Sequence, residues 1–237
     1  MKNNGSNQIN RIETRQPVLG YENTTYQRNA STRMKRFVAP YRNPAKSEIL
    51  VITSYPPREC GIATYSQDLI KALDEKFSSS LSIRVCALEA GEMDNEYPPE
   101  VKYKLNTSHR ASFMKLAGKI NEDEQLQLIL VQHEFGLYRE NEDAFLDLLY
   151  EITKPVVLVF HTVLPNPDKQ LKLKVKNLVS ACRGIVVMTH DSADILVNEY
   201  GVSKQKISVI PHGTHLVAQQ DKNSLKIKYG LKNRKVL

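Results

Sequence analysis

A chain of 237 residues with 41% hydrophobic and 25% charged side chains has the composition of a soluble globular protein. Its apolar runs are far shorter than the roughly 20 residues that a membrane-spanning helix needs, and its first residues lack the apolar segment of a secretory signal. Three widely spaced cysteines, Cys60, Cys86 and Cys182, are typical of free thiols in a reducing compartment. We therefore expect a cytoplasmic protein, with Cys86 and Cys182 in its core.

The formal net charge of +7 belongs to residues 1–46, which contain nine Lys or Arg and two acids, whereas the rest of the chain contains 24 of each sign. A nucleic-acid-binding domain carries its basic residues on a folded face, so we expect no nucleic-acid partner. The basic leader is rich in Asn, Thr, Gln and Arg and shows little apolar periodicity. It is either an unstructured extension or a peripheral contact to anionic lipid headgroups.

Strand-like apolar runs alternate with helical periodicity from Ser47 onward. The predicted strands are 47–54, 82–88, 101–105, 128–132, 156–160, 184–188 and 207–210, with the start of another at 235–237. The predicted helices are 61–77, 112–121, 143–152, 168–181, 192–200, which Gly201 closes as a left-handed cap, and a short one within 225–231. This alternation predicts an α/β fold with a Rossmann-like parallel sheet and helices on both faces.

Five of the predicted strands are followed by short segments rich in Gly, Pro, His or acid. These segments are YPPRECGIATY, HEFGLY, HTVLPNP, THDSAD and PHGTH. In open parallel sheets, ligands bind just beyond the carboxyl ends of the strands. We therefore expect the five segments to meet at one rim and to form the functional site there.

The succession of a YPP…CGIATYS loop, QHEFG, FHT, VMTH and VIPHGT resembles the N-terminal domain of retaining glycosyltransferases of family 4, which have the two-domain GT-B fold. The resemblance covers residues 48–214. It implies transfer of a sugar from a nucleotide-sugar donor to a hydroxyl acceptor, which is a sugar, a polyol or a lipid-linked compound, without a further cofactor. In that family the N-terminal domain holds the acceptor and the C-terminal domain holds the donor.

The resemblance also implies a domain organisation. We expect a basic leader at 1–46, a GT-B N-terminal domain at 47–214, and at 215–237 a linker with the start of a missing C-terminal donor domain. A truncated half of this kind is expected to bind acceptor weakly and to transfer nothing alone. The alternatives are a non-catalytic binding or partner protein that complements a separate C-terminal half through an exposed apolar patch, and a remnant that folds poorly.

His161 is the candidate catalytic residue, because an imidazole at a strand end can hydrogen-bond a sugar hydroxyl and titrate near neutral pH. The resemblance implies that it lies near the donor sugar or the reacting hydroxyl, and a structural role in capping the strand is the alternative. The candidate substrate-binding residues are Arg58, Gly61, Ile62, Tyr65, His133, Glu134, His190, His212 and Gly213.

Several of these candidates have competing interpretations. Gly61 opens a helix whose N-terminal N–H groups favour phosphate, with Arg58 as a further donor, or it forms a simple tight turn. Tyr65 is either a ligand contact or a core residue. His190 and Asp191 either belong to the site or cap the helix that starts there. The histidine spacing lacks the close ligand pairs of zinc sites, so we expect no metal.

Overall fold

The computed structural model describes residues 46–91, 95–213 and 221–235. The strands are β1 (Ser47–Thr53), β2 (Leu81–Glu89), β3 (Val101–Asn106), β4 (Leu126–His133), β5 (Val156–Phe160), β6 (Gly184–Val187) and β7 (Ile207–Val209). The helices are α1 (Gly61–Phe77), α2 (Arg110–Glu122), α3 (Glu142–Glu151), α4 (Lys169–Ala181), α5 (His190–Asn198) and α6 (Lys222–Lys228). Short 3₁₀ helices cover Phe135–Tyr138 and Lys204–Lys206.

The seven strands form one parallel sheet in the order β3-β2-β1-β4-β5-β6-β7. The direction of strand succession reverses at β1, which pairs with β2 on one side and with β4 on the other. Such a switch point opens a crevice beyond the carboxyl ends of the two strands. The predicted Rossmann-like α/β fold is thereby confirmed, and the predicted elements from β1 to α6 occur within three residues of their expected bounds.

The sheet is covered on both faces, as its nearly continuous apolar strands require. Leu50 and Ile52 of β1 belong to the larger core cluster, which includes buried residues of α2, α3 and α4. Val51, which lies between them in the strand, belongs to a second cluster with Ile70 of α1. Alternate residues of one strand therefore hold helices on opposite faces of the sheet.

Two of the three cysteines lie in the core, as predicted. Cys86 and Cys182 are both free and buried. Burial raises the pKa of both thiols, and it raises that of Cys182 to about 12. Both are therefore protonated at neutral pH and act as small apolar side chains.

The N-terminal part of α1 is held at the carboxyl end of β1 by polar contacts. Thr53 and Ser66 form a hydroxyl–hydroxyl hydrogen bond of 2.6 Å between the strand and the helix. Cys60 is the N-cap of α1, because its Sγ accepts a hydrogen bond from the Ala63 N–H at 3.4 Å. These contacts aim the N-terminus of α1 at the crevice.

Some expectations fall on residues that the structure does not describe. The basic leader lies there apart from Lys46, and so do Val236 and Leu237 of the predicted last strand. Gly201 has a φ of +71°, which confirms the left-handed residue predicted after α5. Within the described ranges, no helix has the length and apolar character needed to cross a membrane.

Candidate functional site

An open pocket of about 1370 Å³ lies beyond the carboxyl ends of the strands. Its walls are α1, the segments that follow β1, β4, β5 and β7, and Met188 after β6. The fold thus brings together four of the five polar segments seen in the sequence, whereas THDSAD contributes no residue to the pocket wall. Eight predicted residues line it: Arg58, Gly61, Ile62, Tyr65, Glu134, His161, His212 and Gly213. His133 and His190 do not.

Several residues of the pocket wall were not among the predicted site residues. They are Cys60, Thr64, Asp68, Leu69 and Ala72 from α1 and its cap, Gly136 and Leu137 from the 3₁₀ helix, and Met188, Ile210 and Pro211 from the last two strand ends. The α1 residues had a usable signal, because Asp68, Leu69 and Ala72 lie three, four and seven positions after Tyr65 and so share its helix face. Ile210 is 55% exposed, which makes the rim partly apolar.

Tyr65 is half-buried and contacts two histidines of the pocket. Its ring centroid lies 5.1 Å from that of His161 in an edge arrangement and 4.7 Å from that of His212. Burial raises the pKa of the Tyr65 hydroxyl, which therefore stays protonated and can donate. The tyrosine thus packs like a core residue on one side and lines the pocket on the other.

His161 follows β5 and is half-buried at the floor of the pocket. Its backbone N–H donates to the His133 carbonyl oxygen at 3.0 Å, which continues the β4–β5 ladder, and its Nε2 lies 2.8 Å from Oε1 of Gln132. Burial lowers the pKa of the imidazole, the carboxylate of Glu134 opposes this shift, and His212 adds to it. The ring is therefore neutral near pH 7 and has one nitrogen with a free lone pair.

Glu134 presents a carboxylate with both oxygens already engaged. One oxygen accepts from the Phe135 N–H at 3.0 Å, and the other accepts from the Thr162 hydroxyl at 2.6 Å. The first of these bonds caps the 3₁₀ helix, while the second joins the segments after β4 and β5. Glu134 is therefore fixed in place and adds negative charge beside His161.

His133 lies beneath the rim rather than on it, with 3% of its side chain exposed. Its ring packs against four aromatic rings at centroid distances of 5.0 to 6.0 Å, those of Phe135, Tyr138, Phe145 and Phe160. Nδ1 has no hydrogen-bond partner among the described residues, and burial lowers the pKa of the ring to about 3. His133 lines a separate cavity of about 200 Å³ between α3 and α4.

His190 is the first residue of α5, is exposed, and stays outside the pocket lining. The N-cap is Thr189, whose Oγ1 accepts from the Ser192 N–H at 3.0 Å. A residue at this strand end therefore caps α5, as one interpretation of the sequence predicted. The cap is Thr189, however, and not His190 or Asp191. In the parts of the chain that the structure describes, no three His, Cys, Asp or Glu residues lie close enough to hold a metal ion.

A Rossmann-like α/β domain with an open pocket at its switch point belongs to a class that binds its ligands beyond the strand ends. Residues 60–217, two thirds of the chain, match the family model of Glycosyltransferase Family 4, and the chain therefore belongs to that family. No curated protein shows a significant match.

Several solved structures are similar to the chain. UDP-GlcNAc 2-epimerase from Methanocaldococcus jannaschii is 16% identical with a TM-score of 0.47, over 69% of this chain and 45% of that one. An alpha-glucosyltransferase in complex with UDP and DNA containing an HMU base is 11% identical with a TM-score of 0.44, over 66% and 40%. The chain thus spans less than half the length of either protein, and likeness at this level carries no information on activity.

Proposed function

We propose that these residues form the acceptor-side, N-terminal domain of a retaining GT-B glycosyltransferase. The transferred sugar comes from a nucleotide-sugar donor, and the acceptor is a hydroxyl group of a sugar, polyol or lipid-linked compound. The observation that carries the proposal is the pocket at the switch point, where His161, Tyr65 and His212 converge within a Family 4 domain.

The pocket offers the groups that a hydroxyl acceptor needs. The neutral imidazole of His161 accepts a hydrogen bond from the reacting hydroxyl, and the protonated hydroxyl of Tyr65 is a donor close to it. In the transfer, the bond between the anomeric carbon and the diphosphate oxygen breaks, and the diphosphate keeps the electron pair. The acceptor oxygen bonds to the same face of that carbon, and its proton passes to the imidazole of His161 and from there to the released diphosphate. Stabilising the departing diphosphate is the main catalytic demand of this step.

The N-terminus of α1 is our candidate for contact with that diphosphate. Its unpaired N–H groups and partial positive charge favour phosphate, and Arg58 lies on the same pocket wall. Gly61 is exposed and lets a ligand approach the backbone closely. In this proposal the nucleotide sugar itself is held by a second, donor-binding domain. We also propose domain bounds of 47–214 and 215–237. A cytoplasmic location and contact of the basic leader with a membrane surface belong to the same proposal.

Gly61→Ala separates a ligand role from a tight-turn role. A Cβ at Gly61 meets no atom within 4 Å, so we expect the stability of the fold to change by less than about 0.5 kcal/mol. The added methyl group lies where a diphosphate would approach, so the KM for the nucleotide sugar should rise by about tenfold in the native enzyme. Gly118→Ala on α2 is the control, since its Cβ is also unobstructed and lies outside the pocket. An unchanged KM in Gly61→Ala would support the tight turn.

The proposed function is tested in two steps. The intact mass of the protein from its native source shows whether these 27.0 kDa are part of a longer chain. The native protein and the 237-residue chain are then assayed with UDP-, GDP- and ADP-sugars and a panel of hydroxyl acceptors. We expect transfer with retained anomeric configuration from a protein that includes a donor domain, and none from the 237 residues alone. Product formed by the 237 residues alone would contradict the assignment of donor binding to a second domain. A native protein that binds the sugar nucleotide or acceptor but transfers no sugar would support the partner-protein alternative.

A further inference from the structure

Gln132 lies directly beneath the candidate site and is completely buried. It is the residue before His133 in β4, and its side chain reaches towards the segment after β5. Its Oε1 lies 2.8 Å from Nε2 of His161. The backbone of His161 is held by its bond to His133, and its ring contacts Tyr65. The hydrogen bond to Gln132 joins the imidazole to the interior of the domain.

We propose that Gln132 is a positioning residue that holds His161 in the tautomer with its proton on Nε2, so that the lone pair of Nδ1 is free for a ligand. An amide carbonyl oxygen can only accept, so the nitrogen facing it must carry the proton. A neutral imidazole has one N–H, and Nδ1 is then an acceptor. Since Nε2 is engaged in the interior, Nδ1 is the nitrogen that remains for the pocket.

The buried amide group of Gln132 favours a functional over a packing role. Its Nε2 has no hydrogen-bond partner among the described residues. A buried, unpaired amide nitrogen is destabilising, and a methionine or leucine would fill similar space without it. The carbonyl oxygen that contacts His161 is the part of the side chain that an apolar residue would not supply.

The uncharged amide also suits a neutral imidazole. The charged or titratable groups around His161 are Glu134, which favours the protonated ring, His212, which disfavours it, His133, whose own pKa His161 lowers, and the hydroxyl-bearing ring of Tyr65. The edge contact with Tyr65 holds the ring from the side of α1. A carboxylate in place of the Gln132 amide would keep the hydrogen bond but would stabilise the imidazolium, which can no longer accept a hydrogen bond from a hydroxyl.

The tautomer is measured directly by NMR of the 237-residue chain with ¹⁵N-labelled histidine, in which the His161 signals are assigned through His161→Asn. In the wild type we expect a protonated Nε2 and an unprotonated Nδ1. In Gln132→Met we expect His161 signals averaged between the two tautomers, with the exposed His190 unchanged as evidence that the fold is intact. In Gln132→Glu we expect the single tautomer to return and the pKa of His161 to rise. A protonated Nδ1 in the wild type, or unaltered His161 signals in Gln132→Met, would overturn the proposal.

A kinetic measurement extends the test to the reaction, and this part alone rests on the proposed function. In the native enzyme, Gln132→Met should lower kcat by about tenfold with little change in KM. This loss is smaller than the contribution of a positioned acid–base group, because the imidazole is still present but less well oriented. Gln132→Glu should move the acidic limb of the pH profile to higher pH. An unchanged kcat in Gln132→Met would overturn the positioning role, whereas a wild type that shows the Nε2–H tautomer but transfers no sugar would contradict only the proposed function.

Discussion

Replacing His161 with alanine is expected to lower the rate of sugar transfer by about a hundredfold to ten-thousandfold, the usual contribution of a positioned acid–base group. His161 lies on the pocket floor, where Gln132 anchors its imidazole from the interior and its backbone N–H donates to the His133 carbonyl oxygen. Removing the imidazole leaves the pocket wall but takes away the acceptor for the reacting hydroxyl. The measurement is kcat/KM in the native enzyme with a saturating nucleotide sugar.

The matched control for this variant is His190→Ala. His190 follows the neighbouring strand end but is exposed and lies outside the pocket lining, so its removal should leave transfer within about twofold, as expected for a surface change away from the site. A loss of the same size in both variants would show that His161 has no special role. A normal rate in His161→Ala would leave it as a structural cap on β5, the alternative interpretation of this histidine.

The pH profile gives a second signature of His161. Its imidazole acts as an acceptor only when neutral, and burial lowers its pKa below the usual 6.5. Transfer should therefore be maximal at neutral pH and should fall only when the pH drops through a midpoint below 6.5. A midpoint above 6.5 would mean that the charge of Glu134 outweighs burial in the native enzyme.

The fold could be predicted from the sequence because its strands are buried on both faces and therefore read as uninterrupted apolar runs. β1 is one example, with Leu50, Val51 and Ile52 completely buried. The predicted end of a helix was less accurate where a single capping side chain determines the residue at which the helix begins. α5 begins two residues earlier than predicted because Thr189, rather than Asp191, accepts the capping hydrogen bond.

The candidate site was predictable in part, because parallel strands bring their carboxyl ends to one edge whatever their sequence. The direction in which a side chain points is harder to infer at the last residue of a strand. Gln132 and His133 are adjacent and therefore face opposite sides of the sheet, so only one of them can reach the pocket floor. The histidine of the QHEFG motif was the natural choice on chemistry, whereas the structure places the side chain of Gln132, the first residue of that motif, against His161 beneath the pocket floor.

The buried side chain of His133 should make the domain sensitive to acid. Four aromatic rings surround it, and its Nδ1 has no partner among the residues that the structure describes. Burial is the main cause that lowers its pKa from 6.5 to about 3, and the positive charges of Lys174 and His161 act in the same direction. The folded domain therefore keeps His133 neutral at pH values where an unfolded chain would protonate it.

The sign of the effect follows from proton linkage. Between pH 6.5 and about 3 the unfolded chain binds a proton at residue 133 and the folded chain does not, so the free energy of unfolding rises with pH. The stability is complete above pH 6.5 and is lost progressively as the pH falls. At pH 5 the loss from this residue alone should be about 2 kcal/mol relative to neutral pH, at about 1.4 kcal/mol for each pH unit.

Urea unfolding of the 237-residue chain at pH 7.5 and pH 5, with His133→Leu and His190→Gln as the comparison pair, measures this loss. Leucine has a similar size, needs no hydrogen bond and cannot be protonated, so His133→Leu should equal the wild type at pH 7.5 within about 1 kcal/mol. At pH 5 it should be more stable than the wild type by about 2 kcal/mol. His190→Gln should follow the wild type at both pH values because His190 is exposed. Equal acid sensitivity in His133→Leu and the wild type would mean that other carboxyl or imidazole groups cause the loss, and that the aromatic cluster admits a charged ring at little cost.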